Sequence, residues 1–528
     1  MLVSVFNDVI GPVMRGPSSS HCAAALRIGR LARDLMDGRL DQVLVQFDRH
    51  GSLATTHATQ GTDMGLWGGL LGWDAADERL PDSERALREA GIEAQIEILD
   101  LHDPHPNTYH LHLRNGDVEH RLRAVSTGGG MVELNQLDDF AVSIHGDYYE
   151  TLLRTTGHGR AVAARIAEAF EADQVLVHSG EAGELVEVKA QRFVPDDLLE
   201  ALRAEFAVGP VHRLRPVLPV LSRKNLQVPF RTCEQMLRYN QDRGWPLWRL
   251  GVEYESARGN LTADEVLGRM LEIVRLLRRS VQQGLAGTRY EDRILGYQCG
   301  RFKDRMDSGR LLDGGVLNRM VLYVSALMEV KSSLGVIVAA PTAGACAALP
   351  GACLAVVDQL GLSDESAARA LLAAGVVGVF IADRSTFAAE VAGCQAECGA
   401  ASCMAAAALV DLAGGTAEQA TAAASMALQN SLGLICDPVA SRVEVPCLGK
   451  NVQAAANALA CANMALADYD PVIPLDEVID AADRVGRSLP RELRCTALGG
   501  LATTPTACRL AQKLGTCCPD ESPRQGAG

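Results

Sequence analysis

Histidine and cysteine divide this chain between them. All twelve histidines lie at or before His212, while twelve of the fifteen cysteines lie at or after Cys346. A reaction needing both an imidazole and a thiolate-bound metal would have to be assembled where the two halves meet. The chain, at 528 residues, is long enough for two or three domains, each burying its own core.

The densest group of motifs runs from Gly393 to Asn451. It opens Gly393-Cys394-Gln395-Ala396-Glu397-Cys398, and its later cysteines stand in Cys436-Asp437-Pro438 and Pro446-Cys447. Cys394, Cys436 and Cys447 are too far apart for a zinc ribbon, whose knuckles pair cysteines a few residues apart. Both later cysteines sit beside residues that stop helices. Thiols fixed at such breaks can converge from separate elements, as the ligands of a soft-metal centre must. Equally, cysteine is among the most buried residue types and packs as a small hydrophobe. Spacing alone leaves both readings open.

A net charge of −15 argues against nucleic acid or an anionic membrane as the main partner. The 44 Arg against 6 Lys read as coding bias rather than a nucleic-acid footprint. Met1 to Ile10 has no basic segment ahead of an apolar core, and Asp8 interrupts it. The apolar stretch 400–412 is too short and Ala-rich to span a membrane. A cytoplasmic location is expected, where clustered cysteines more often serve metals than disulfides.

The periodicities predict a multi-domain α+β chain. Residues 1–138 read as a mixed domain, with a helix over Ala23–Ala32 and strands at Gln42–Phe47 and Glu93–Ile98. Ser126 to Gly130 reads as a turn of close backbone approach. Residues 139–205 read as a small β-α-β-β-α unit that begins with a strand at Phe140–Ile144. Residues 206–229 read as a Pro-rich linker, 230–515 as mostly helical, and 516–528 as a disordered tail.

The cysteine stretch is similar to the α-domain of the iron–sulfur L-serine dehydratases. Gly335 to Gly344, Ile473 to Ile479 and Thr496 to Ala502 extend the likeness, and Ile10 to His21 resembles the signature that opens the same enzymes' β-domain. The resemblance implies a single-chain fusion of the β- and α-domains. It makes Cys394, Cys436 and Cys447 the ligands of a 4Fe–4S cluster that keeps one iron open as a Lewis acid, and Cys398 a packing residue. It implies an N-terminal α/β substrate-binding-type domain, a helical cluster-binding domain and, at 139–205, an ACT-like unit with room for an amino-acid effector. The expected partners are a small amino-acid substrate and a second copy in a homodimer. Pyridoxal phosphate is not expected, since no phosphate-cradling Gly-rich loop accompanies Lys331.

Substrate contacts follow from the same resemblance. Ser18, Ser19 and Ser20 offer hydroxyls ahead of a helix, where a carboxylate docks. Thr342 and Gly344 lie on a second turn, Gly61, Thr62 and Asp63 on a third, and Lys331 stands where the family has Asn. One departure is prominent: Gln60 occupies the place of the family's expected base, and an amide takes no proton at neutral pH. His57, on the same segment, is the favoured replacement and His21 the second candidate. Cys22, Gly296–Gly300 and Ser441 also differ from the family pattern. The expected activity is β-elimination of water from L-serine, giving pyruvate and ammonia. The alternatives are a close β-substituted amino acid as substrate, a desulfidase acting on L-cysteine, a lyase acting on another hydroxy or amino acid, and a non-catalytic amino-acid sensor with a structural cluster.

Overall fold

The computed structural model describes residues 2–515 apart from Ala182 and Asp292, so the expected tail 516–528 lies outside the described residues. The fold is mixed α/β with a helical C-terminal region. It divides into two compact units: His21–Leu226 forms one, and Leu2–Ser20 joins Gln227–Gly528 in the other. Residues 1–138 are therefore not one body.

The first residues join the helical unit because side chains of helix Leu247–Gly259 hold their backbone, and the Ser4 hydroxyl, there. Ser4 caps a π-helical turn, Val5–Val9, accepting from the amides of Phe6 and Asn7. Glu255 accepts from Ser4 Oγ and, at 2.8 Å, from Val5 N. Tyr254 Oη donates to Val3 O at 2.9 Å, and Arg258 Nε to Leu2 O at 2.6 Å. The turn lies so close to helix Asp364–Arg384 that a Cβ at Gly378 would stand 2.1 Å from Val9 Cγ1. Strand β1 (Val13–Met14) then pairs antiparallel with Ile337–Val338.

In the other unit, β2 (Gln42–Asp48), β3 (Glu93–Leu99), β4 (Thr108–Asn115), β5 (Val118–Gly128), β6 (Met131–Leu137) and β7 (Phe140–Ile144) build one sheet. Its order is β3-β2-β4-β5-β6-β7, with only β2 and β3 parallel. The alternation predicted for β2 places Val43, Val45 and Phe47 in the core. Helices Ala24–Leu35 and Thr62–Leu70 pack backbone to backbone. A Cβ at Gly65 would lie 2.0 Å from Cys22 O, and one at Gly69 2.2 Å from Leu26 O. Only glycine permits that approach.

The strand expected to open the small unit instead completes this sheet, because β7 alternates buried Phe140, Val142 and Ile144 and pairs with β6. The small sheet consists of β8 (Tyr149–Thr155), β9 (Gln174–Gly180), β10 (Gly183–Ala190) and β11 (Val208–Leu214), in the antiparallel order β11-β8-β10-β9. Helices Gly159–Ala169 and Asp196–Glu205 follow β8 and β10, giving the β-α-β-β-α-β order of a split β-α-β unit. Strand β11 lies inside the range read as linker. It is an edge strand with an irregular register between Val208 and Val211, around Pro210, and edges tolerate proline.

The helical unit surrounds helix Ala400–Leu412, whose residues Ala400 to Val410 are all buried. A helix apolar on every side belongs inside, and its alanines let helices Asp364–Arg384, Ala417–Gln429 and Cys447–Leu466 close around it. Helix Asp364–Arg384 is long and apolar enough to cross a membrane, but 78% of its most apolar window is buried within the protein.

Candidate active site

In the helical unit, the thiols of Cys394 and Cys436 meet from separate chain segments, and Cys447 lies outside their close group but within electrostatic reach of Cys394. Cys394 caps a π-helical turn, Gln395–Gly399, that runs into the central alanine helix. Cys436 sits in an isolated bridge, its amide donating to Leu493 O at 2.9 Å while its carbonyl accepts from Cys495 N at 3.0 Å. Cys447 is the first residue of helix Cys447–Leu466. All three are buried. The Cys394 thiol hydrogen-bonds with Cys398 and with Cys436, and these bonds hold it well below the ordinary thiol range. Burial pushes the Cys447 thiol up, with the Lys331 charge opposing and that of Cys394 adding.

A close group of donor atoms here includes a residue that sequence reasoning did not select. One ligand atom each from Cys394, Glu397 and Cys436 lies within 4.8 Å of the other two. Glu397 Oε1 accepts from Thr342 Oγ1 at 2.6 Å. Burial and then the Cys394 charge push its carboxyl up to about 8, against the Thr342 bond. A Cβ at Gly344 would stand 2.7 Å from Glu397 Oε2, so the glycine makes room for this carboxyl. The loop joining Cys436 to Cys447 carries consecutive left-handed residues, Ala440 (φ 50°) and Ser441 (φ 57°). Such strain collects at functional sites. It also gives a physical reason for glycine to be favoured where this chain has Ser441.

Two ammonium groups face this region. Lys331 is fully buried and donates to Val443 O. Lys450 donates to Ile435 O at 2.6 Å and to Asp437 Oδ1 at 2.7 Å. Although burial works against its charge, Cys394 and Asp437 hold Lys450 above the usual lysine range. Soft, buried thiols with cations beside them fit an anionic iron–sulfur centre. The serine run reaches the same unit: Ser19 Oγ accepts from Ala343 N at 3.2 Å, beside Thr342 and Gly344. The residue that caps helix Ala24–Leu35 is Ala23, with no side-chain bond, so Ser20 is not its cap.

In the other unit, the segment holding His57 is helical and then turned, not extended. Helix Leu53–Thr56 continues through His57, and Gly61 (φ 84°) reverses the chain into helix Thr62–Leu70. His57 Nδ1 lies 2.9 Å from both carboxylate oxygens of Asp63. The pair is about a quarter exposed, with side chains at 24% and 26%. Gln60 and Thr62 are buried, and Thr62 Oγ1 has no hydrogen-bond partner among the described residues. His21 is wholly buried, its Nε2 2.9 Å from Thr56 Oγ1, whose own proton goes to Ser52 O at 2.6 Å. Nε2 of His21 therefore carries a hydrogen. Burial and then the His57 charge lower its pKa to about 3.

The family described as serine dehydratase alpha chain matches residues 234–502. A probable L-serine dehydratase alpha chain of Bacillus subtilis is 37% identical over 285 residues, covering 54% of this chain and 95% of the relative. The chain belongs to the L-serine dehydratase family. Bacillus subtilis also has a probable beta chain, 40% identical over 145 residues, 28% of this chain and 64% of that one. An L-serine dehydratase of Streptomyces coelicolor is 28% identical over 526 residues, covering 96% of this chain and all of the relative. This chain is thus a fused, single-chain member of a family whose relatives are named L-serine dehydratases, and it is a carbon–oxygen lyase.

Of the expected site residues, Ser18, Ser19, Ser20, Thr342, Gly344, Lys331, Cys394, Cys436 and Cys447 belong to the helical unit, and His21, His57, Gln60, Gly61, Thr62 and Asp63 to the other. Sequence reasoning passed over Glu397, whose only signal was its place three residues after Cys394 in a motif already singled out. It also gave no role to Asn451, the last residue of that stretch.

Proposed function

We propose that this dehydratase is an iron–sulfur enzyme that eliminates water from L-serine, the aminoacrylate product tautomerising and hydrolysing to pyruvate and ammonia. One observation carries the reading: Glu397 joins the thiols of Cys394 and Cys436 to the turn holding Thr342 and Gly344. A thiol centre and a substrate-contacting turn in direct contact suit chemistry on a bound hydroxy acid. Cys394, Cys436 and Cys447 would hold a 4Fe–4S cluster, which when bound supplies Lewis acidity toward the leaving hydroxyl.

The remaining roles belong to side chains. Ser18, Ser19 and Ser20, with Thr342 and Gly344, bind the amino acid, and Lys331 offers its carboxylate a buried cation. Gly61 and Thr62 shape the segment that carries the base. The helical unit contains no histidine, so an imidazole base comes from His21–Leu226. His57 is that base: the Asp63 carboxylate orients the ring through Nδ1, which leaves Nε2 to accept the α-proton. His21 is less suited, being buried with its pKa near 3. The β-α-β-β-α-β unit is read as an ACT-like module for an amino-acid effector, supported by its strand order.

The test is anaerobic turnover of L-serine by the wild type, His57→Ala and Gln60→His. The wild type should release pyruvate, and His57→Ala should lose at least about a hundredfold of kcat, the usual weight of a general base. Turnover confined to Gln60→His would contradict the assignment. Sulfide release from L-cysteine without serine turnover would make the enzyme a desulfidase.

A further inference from the structure

Asn451 lies one helical turn beyond Cys447, and its side chain is completely buried. Its Nδ2 donates to Gly344 O at 2.8 Å and back to Cys447 O at 2.9 Å, and lies 3.8 Å from Cys398 Sγ. Its Oδ1 accepts from Ala347 N at 3.2 Å and Ala348 N at 3.0 Å. A primary amide has two donor hydrogens and two acceptor lone pairs, and here each has a backbone partner. Four of these five contacts tie together stretches that are far apart in sequence. On one side is the turn running from Thr342 through Gly344 into helix Ala348–Leu360. On the other are the first turn of the Cys447 helix and the Cys398 thiol.

No other side chain of this size meets that demand. Aspartate matches the shape and the two acceptor contacts, but it has no hydrogens for the carbonyls of Gly344 and Cys447. Leucine offers neither. The selection is therefore for an amide that donates in one direction and accepts in the other.

We propose that Asn451 is a positioning residue that sets the substrate-contacting turn, Thr342 to Gly344, in register with Cys447. The inference rests on reading this site as a serine-binding metal centre. A buried amide bonded to both segments fixes their separation, and small misplacements of substrate against a reacting centre cost large factors in rate.

Two variants test it, both purified anaerobically as the full chain. In Asn451→Ser the short hydroxyl can still bond back to Cys447 O within the helix, but it cannot reach Gly344 O. In Asn451→Asp the shape is kept and both donor bonds are lost. Iron per chain, thermal unfolding, kcat and KM for L-serine, and the serine-induced change in the visible spectrum are measured together. The expected result is iron near the wild-type level, KM raised about tenfold with kcat lowered, and a spectral response to serine that is weakened or lost. Wild-type KM, kcat and spectral response in Asn451→Ser would overturn the proposal. So would activity that falls only in proportion to iron, or failure of both variants to fold, since either makes the side chain purely structural. If instead the wild type binds iron but ignores serine, it is the proposed function that fails.

Discussion

Single buried groups give this protein a pH dependence that can be read in advance. Glu255 holds the amino-terminal turn through Ser4 and Val5, and burial raises its pKa from 4.5 to about 7. Its folded pKa exceeds the unfolded one, so its contribution is complete below about pH 4.5 and is lost as pH rises through 7. The shift corresponds to about 3 kcal/mol. Glutamine imitates the protonated carboxyl, so denaturant unfolding of Glu255→Gln should lose less stability than the wild type between pH 5 and 8. Parallel pH profiles would contradict the account. At this scale the sequence was legible where residue type carried the chemistry. Cysteines beside Pro438 and Pro446 stood out, and so did the exchange of an expected base for Gln60. Glu397 and Asn451 did not, because what they do depends on Thr342, Gly344 and Ala348, partners up to 107 residues away.

Elements in close contact rest on glycines whose reason is spatial. Gly378 faces Val9, and a Cβ there would also meet Met404 Sδ at 3.1 Å. Gly268, within helix Ala263–Ala286, has nothing within 4 Å of its would-be Cβ. Gly378→Ala should therefore destabilise the helical unit by about 1–3 kcal/mol through overpacking. Gly268→Ala should stabilise it by up to about 1 kcal/mol through helix propensity. Equal effects of the two in denaturation would contradict this packing. Alternation and helical periodicity found the strands Gln42–Asp48 and Glu93–Leu99 and the helix Ala24–Leu35. They missed β8, and they hid β11, because prolines make an edge strand look like a linker. Strand β7 was found but assigned to the wrong sheet, since pairing partners are not written in a strand's own residues.

For the whole molecule, the division of histidine from cysteine is the sequence property that matches the units, with every histidine in His21–Leu226. The exchange of Leu2–Ser20 into the helical unit was not legible, because it is set by Glu255, Tyr254 and Arg258 far along the chain. The central claim is that Cys394, Cys436 and Cys447 hold the metal on which serine dehydration depends. Iron and pyruvate formation should be measured on the same anaerobic preparations of the wild type, the alanine variants at these three positions and Cys398→Ala. The account predicts about four irons per chain in the wild type, loss of both iron and turnover in each of the three ligand variants, and retention of most iron in Cys398→Ala. Full iron and unchanged serine turnover in Cys436→Ala would contradict it.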